Sequence, residues 1–168
     1  MNTFWNAQLT FQTPGIFEIM SENKDYIQAL EIARGANPDF KKAALLLEKA
    51  AKSGSSDALY ALGSWYFHGH HYAQNISKAI DYWEQGSEKG DIDSMIELGK
   101  TYESDVYVKK DMGTAFYYYS RAAFYGSGEG CYEVGRFFYW GIYVPENEQV
   151  SELWYIKARE LGYEEDDA

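Results

Sequence analysis

Three histidines, His68, His70 and His71, lie almost side by side. Three imidazoles with a nearby carboxylate can hold zinc. Yet His70 and His71 fall in a loop, and the residues 36 positions further on are Val106-Tyr107, then Ile142-Tyr143. A solvent-facing loop is the expectation, and no metal or other cofactor. Cys131 beside a histidine could form a nucleophile pair. Its companions at the same interval, Leu59 and Met95, mark it instead as an apolar packing residue. The run Gly126-Ser-Gly-Glu-Gly130 ahead of a helix has the glycines of a phosphate cradle. No lysine follows where such a loop needs one, and Glu129 would repel an anion. Glu97 with Glu133 could act as acid and base, but nothing in their spacing singles them out from the other carboxylates. Phe116-Tyr-Tyr-Tyr119 could stack on bases, yet Tyr119 shares its register with Leu47 and Trp83, which is a core position. No catalytic site is expected.

Composition narrows the partners. The chain has 168 residues, with 15 Lys plus Arg against 26 Asp plus Glu, a net charge of −11. Such a chain repels phosphate backbones and anionic lipid, so neither nucleic acid nor membrane is expected as a partner. One cysteine excludes an internal disulfide framework. No apolar run approaches the ~20 residues that span a bilayer. The first 17 residues carry no Lys or Arg, unlike a secretory leader. A cytoplasmic protein is the expectation.

The elements that must position these side chains recur. Gly54, Gly90, Gly126 and Gly162 are spaced by 36 residues, as are Gly63, Gly99 and Gly135. Ala43, Ala79, Ala115 and Ser151 keep the interval, and so do Leu47, Trp83, Tyr119 and Tyr155, then Ala50, Gly86, Ala122 and Ala158. Each unit reads as two helices. The first spans about 55–69, 91–105 and 127–141, with Ala58, Leu62 and Tyr66 forming one apolar stripe. The second spans about 76–89, 112–125 and 148–161, with an earlier copy at 40–53. Asp39, Asn75, Asp111 and Asn147 precede the second helices as caps. Gly54, Gly90 and Gly126 suit a left-handed stop, and Ser55, Asp91 and Ser127 then cap the next helix at once. Gly63, Gly99 and Gly135 lie inside helices, where glycine costs about 1 kcal/mol against alanine. Close approach of the partner helix is the expected compensation.

The stretch Ala58-Leu-Tyr-Ala-Leu-Gly-Ser-Trp-Tyr-Phe-His-Gly69, followed by Asn75-Ile-Ser-Lys-Ala-Ile-Asp-Tyr-Trp-Glu-Gln-Gly-Ser-Glu-Lys-Gly90, resembles a Sel-one-like repeat, a relative of the tetratricopeptide repeat. The resemblance implies an all-α fold, a right-handed α-α superhelix of about four helix pairs. Three units fill 55–162. Residues 19–54 form a degenerate first unit, with Ile27 in the glycine position. Asp105 departs from the glycine of Gly69 and Gly141, and the single Cys131 excludes the subgroup with a disulfide in each repeat. Ahead of the array, residues 3–13 alternate apolar and polar, as in a half-buried strand closed by Pro14-Gly15. Residues 1–18 are therefore expected to form a short extended arm, and 163–168 an acidic tail.

Charge divides unevenly between the two kinds of helix. The three first-helix segments with their loops carry −6 together, and the four second-helix segments carry +1. The resemblance implies that first helices line a concave, partner-binding face. Carried over by position, that face comprises Asp57, Tyr60, Ser64, Phe67 and His68, then Asp93, Ile96, Lys100, Glu103 and Ser104, then Glu129, Tyr132, Arg136, Tyr139 and Trp140. Tyr and Trp anchor interfaces, and carboxylates select a basic partner. The expected function is a non-catalytic scaffold or adaptor binding a basic protein or peptide. A narrower alternative is a bacterial immunity protein covering a basic toxin such as a nuclease; another, implied by the family, is a hydrolase or small-ligand binder. Charge reversal at Glu103 or truncation of Tyr139 is expected to weaken binding with little loss of fold.

Overall fold

The structure, a computed structural model, describes residues 23–69 and 71–164; the expected arm at 1–18, His70 and the last four residues lie outside them. Among the described residues there are eight helices and no strand: α1 (Lys24–Arg34), α2 (Phe40–Lys52), α3 (Ser56–His68), α4 (Ile76–Glu88), α5 (Ile92–Glu103), α6 (Met112–Phe124), α7 (Gly128–Tyr139) and α8 (Glu148–Glu160). Each packs mainly on its neighbours in the chain, so the molecule is an all-α helical solenoid of four hairpins.

Short polar side chains start every helix. Asp39, Asn75, Asp111 and Asn147 accept backbone N–H groups at the start of α2, α4, α6 and α8. Ser55, Asp91 and Ser127 do so for α3, α5 and α7, and Asn23 for α1. Each buried or half-buried cap is worth about 1 kcal/mol. The junctions between hairpins are Schellman stops. Gly54, Gly90 and Gly126 adopt φ of +97°, +86° and +92°. The next residue donates its N–H back into the finished helix: Ser55 to Ala50 O at 3.0 Å, Asp91 to Gly86 O at 3.1 Å, Ser127 to Ala122 O at 2.9 Å. One residue thus closes a helix with its backbone and opens the next with its side chain. The first helices end differently. Gly69 is left-handed at φ +71°, whereas α5, which has Asp105 in the corresponding place, stops at an extended Ser104.

Gly63 and Gly99 make room for rings, and Gly135 for a ring together with the Ser151 carbonyl. A Cβ on Gly63 would overlap the Trp83 indole; on Gly99 it would lie 2.5 Å from Tyr119 Cε1, and on Gly135 2.9 Å from Tyr155 Cδ1. Trp83, Tyr119 and Phe137 are among the largest fully buried side chains, and they anchor the core between first and second helices. Burying such rings is the main favourable term here, roughly 1.5–3 kcal/mol each.

Candidate functional site

First helices stand side by side, because side chains bridge them: Lys100 of α5 reaches Glu129 of α7 at 2.8 Å, and Arg136 of α7 reaches Glu103 of α5 at 2.7 Å. The face they share carries the acids. Tyr26 of α1 feels Asp57 of α3 together with Asp91 and Asp93 at the start of α5. Tyr60 feels Glu97, Asp93 and Asp91, and its hydroxyl meets Ser64. Burial and this surrounding negative charge push both phenols up.

The acids themselves are held in an unfavourable state. Burial raises the Asp91 carboxyl, and Asp93 and Asp57 add to it against the Ser94 hydrogen bonds. Burial raises Glu97, with Glu129 and Asp93 adding, while Lys100 and His68 oppose. Glu133 is raised by burial despite Arg136. Lys100 goes up as well: burial alone would lower it, but the Glu129 carboxylate outweighs that. Glu129 adds to the rise of both Glu97 and Glu133.

The expected face residues sort into groups. Asp57, Asp93 and His68 are exposed, and Tyr60 is half-buried. Phe67 packs between Trp83 and Tyr107, at centroid distances of 5.2 and 4.7 Å, so it is a wall of the helix stack. Ile96 does not belong on the surface: it is 4% exposed and sits in the core with Met95, Tyr119 and Val134. Tyrosine at this register reaches outward with a polar end; isoleucine has none and folds into the core. Glu103 is also committed internally. Both its oxygens take Arg136 Nη2, at 2.8 and 2.7 Å, and Oε2 accepts the Tyr119 hydroxyl at 3.1 Å. Reversing its charge would therefore damage the fold, contrary to the sequence expectation.

Tyr132, Arg136, Tyr139 and Trp140 come together at the far end of the array. With Tyr155, Ala158, Arg159, Tyr163 and Glu164 they line a cleft of about 760 Å³ between α7 and α8. Tyr139 and Trp140 meet edge to face at 4.8 Å and are 43% and 67% exposed. Tyr132 packs at 5.3 Å from both Tyr155 and Tyr163. Sequence reasoning missed Tyr155 as a surface residue, because its register matches buried Trp83 and Tyr119. It lines this cleft because no further hairpin among the described residues packs on α8.

The other chemical candidates have structural employment. His71 stacks on Phe40 at 3.7 Å and meets Trp65 at 4.1 Å. The Cys131 thiol is buried, and burial pushes its pKa up, away from a reactive thiolate. Ser127 Oγ takes the Gly130 N–H, and a Cβ on Gly130 would lie 2.6 Å from Ala123 N. Among the described residues, no three His, Cys, Asp or Glu side chains gather as a metal site, and no helix is long and apolar enough to cross a membrane.

A family model described as Sel1 repeat matches residues 28–55, 56–91, 92–123 and 128–163. Among solved structures, a Sel1 repeat protein from Oxalobacter formigenes is similar with a TM-score of 0.75 and 25% identity, covering 83% of this chain and 58% of that one. A protective antigen of uropathogenic Escherichia coli strains displaying an SLR fold gives 0.75 and 26%, covering 82% of this chain and 30% of that one. Helicobacter pylori cysteine rich protein B gives 0.59 and 30%, covering 79% of this chain and 95% of that one. The chain therefore spans little more than half of the first of these and under a third of the second. No curated protein sequence matches it significantly.

Proposed function

Because the chain belongs to the Sel1 repeat family, whose members are in general protein-interaction scaffolds, we propose that it works as a non-catalytic docking module whose first-helix face receives a basic protein or peptide. The observation that carries this reading is the row of carboxylates formed by Asp57 of α3 with Asp91, Asp93 and Glu97 at the cap and on the body of α5. The raised Asp91 and Glu97 mean that folding holds negative charge where it is poorly solvated. Cationic side chains from a partner complement that negative charge. Tyr139 and Trp140 supply exposed aromatic anchors beyond the acidic row. An inhibitor that covers a basic toxin is a narrower form of the same reading.

The test is affinity capture with the wild-type chain and with D93N/E97Q and Y139A/W140A baits, at about 50 mM and about 300 mM salt. Proteins captured by the wild type should be basic, and both the higher salt and the D93N/E97Q bait should lose them. A partner retained equally by all baits and both salts would place the interface elsewhere.

A further inference from the structure

At the α5–α7 junction a lysine of one first helix serves two carboxylates of the next. Lys100 of α5 reaches Glu129 of α7 at 2.8 Å. Burial alone would lower the Lys100 pKa, but Glu129 outweighs that, with Glu97 and Glu133 adding. Glu129 and Glu133 stand on successive turns of α7, and Asp93 and Glu97 stand in the same two places on α5, 36 residues earlier. The register that supplies Lys100 on α5 holds Ser64 on α3. The α3–α5 junction thus keeps both carboxylates of its sister and has a hydroxyl where the cation stands.

The charges around the two junctions balance differently. At α5–α7, Glu129, Glu133 and Glu103 meet Lys100 and Arg136, and Arg136 pairs with both Glu103 and Glu133. At α3–α5, Asp57, Asp91, Asp93 and Glu97 gather. Lys100 and His68 oppose the rise of Glu97, but the Lys100 ammonium lies on Glu129. Among the described residues, no lysine or arginine forms an ion pair with any of these four carboxylates. The Tyr60 hydroxyl meets Ser64 and feels Glu97 and Asp93, which places Ser64 beside both acids. Asp93 is exposed and Ser64 half-buried, so a side chain from outside can enter. We infer that the α3–α5 junction is a seat for a lysine side chain of the partner polypeptide, entering over Ser64 toward Asp93 and Glu97, in the place that Lys100 fills from within at the next junction. One ammonium with three donors serves carboxylates on two turns and a hydroxyl at once, whereas a planar guanidinium favours a single carboxylate met edge-on. This seat rests on the first-helix docking reading and names the contact within it.

The experiment joins urea unfolding of the full chain to an NMR titration with acetyl-Gly-Lys-Gly-Lys-Gly-amide and its arginine counterpart at about 50 mM salt. S64K should seat its own ammonium. Its urea midpoint should exceed that of S64Q, and the excess should vanish when both carry D93N/E97Q. The lysine peptide should give saturable shifts at Ser64, Asp93 and Glu97 in the wild type and at the same places in S64Q. S64K should weaken it about fivefold, as for a partly exposed charge pair. Q28K, which adds the same charge in the same register of α1, should weaken it by less than about twofold, because screening leaves little beyond direct contact. Equal midpoints for S64K and S64Q, equal losses in S64K and Q28K, or no saturable shift at these three residues would overturn the seat. The docking reading would still stand on its own capture test. Tighter binding of the arginine peptide would overturn lysine as the occupant.

Discussion

Replacing Gly99 with alanine sets two effects against each other. Alanine is a better helix former than glycine by about 1 kcal/mol, so an exposed glycine in mid-α5 would give a more stable variant. Here the new Cβ would stand 2.5, 2.7 and 2.8 Å from Tyr119 Cε1, Cδ1 and Cζ. Ordinary contact needs about 3.5–4.0 Å, so the ring must retreat by about 1 Å. Tyr119 is 1% exposed and has nowhere open to go. Overpacking of this kind costs about 1–3 kcal/mol. Tilting the ring also weakens its bond to the Glu103 carboxylate, a contact worth about 1.5–3 kcal/mol when intact. The net expectation is a loss of about 2 kcal/mol, or a fall in melting temperature of about 4–8 °C for a chain of this size. Thermal and urea unfolding of G99A, Y119L and the double variant measure it. In the Y119L background the ring is gone, and G99A should there be neutral or stabilising. If G99A stabilises the otherwise wild-type protein, the close-approach argument for all three helix-interior glycines fails.

R136L leaves Glu103 and Glu133 facing each other without their cation; the loss at pH 7 should be about 2 kcal/mol, below that of a fully buried broken pair. The Glu133 carboxyl, raised by burial and now without the opposing Arg136 charge, then favours protonation in the folded state, so urea unfolding should show the loss shrinking as pH falls toward about 5. E97Q should do the reverse of a usual charge deletion and stabilise the fold at pH 7. The Glu97 carboxyl is raised on folding, so the folded chain binds more protons than the unfolded one. Its contribution to stability falls as pH rises past the unfolded value of about 4.3 and stays lost at neutrality. Melting curves of wild type and E97Q should therefore diverge with rising pH, and curves that converge instead would contradict the burial argument.

Local hydrogen bonding was legible without coordinates. The caps 36 residues apart and the glycines that follow the second helices act within one turn of chain, so residue type alone determines them. The recurring glycines of α3, α5 and α7 were legible as close approaches, though a ring from the partner helix is the nearest neighbour in each case. The site was less so. Ile96 shares a register with Tyr60 and Tyr132, and what separates them is the polar end of the tyrosines, which keeps them at the surface. The Glu103–Arg136 pairing crosses between helices 33 residues apart and follows from how hairpins stack. Tyr155 sits in a core register that the end of the described array leaves open.

Ser55, Asp91 and Ser127 each belong to two helices at once, which leaves no slack between hairpins. A hinge needs linker residues whose torsions can swing freely, and these junctions have none. Bending must instead spread as small equal increments along the whole rod, like the flexing of a leaf spring. A load taken up at one end of the array is thereby felt at the other.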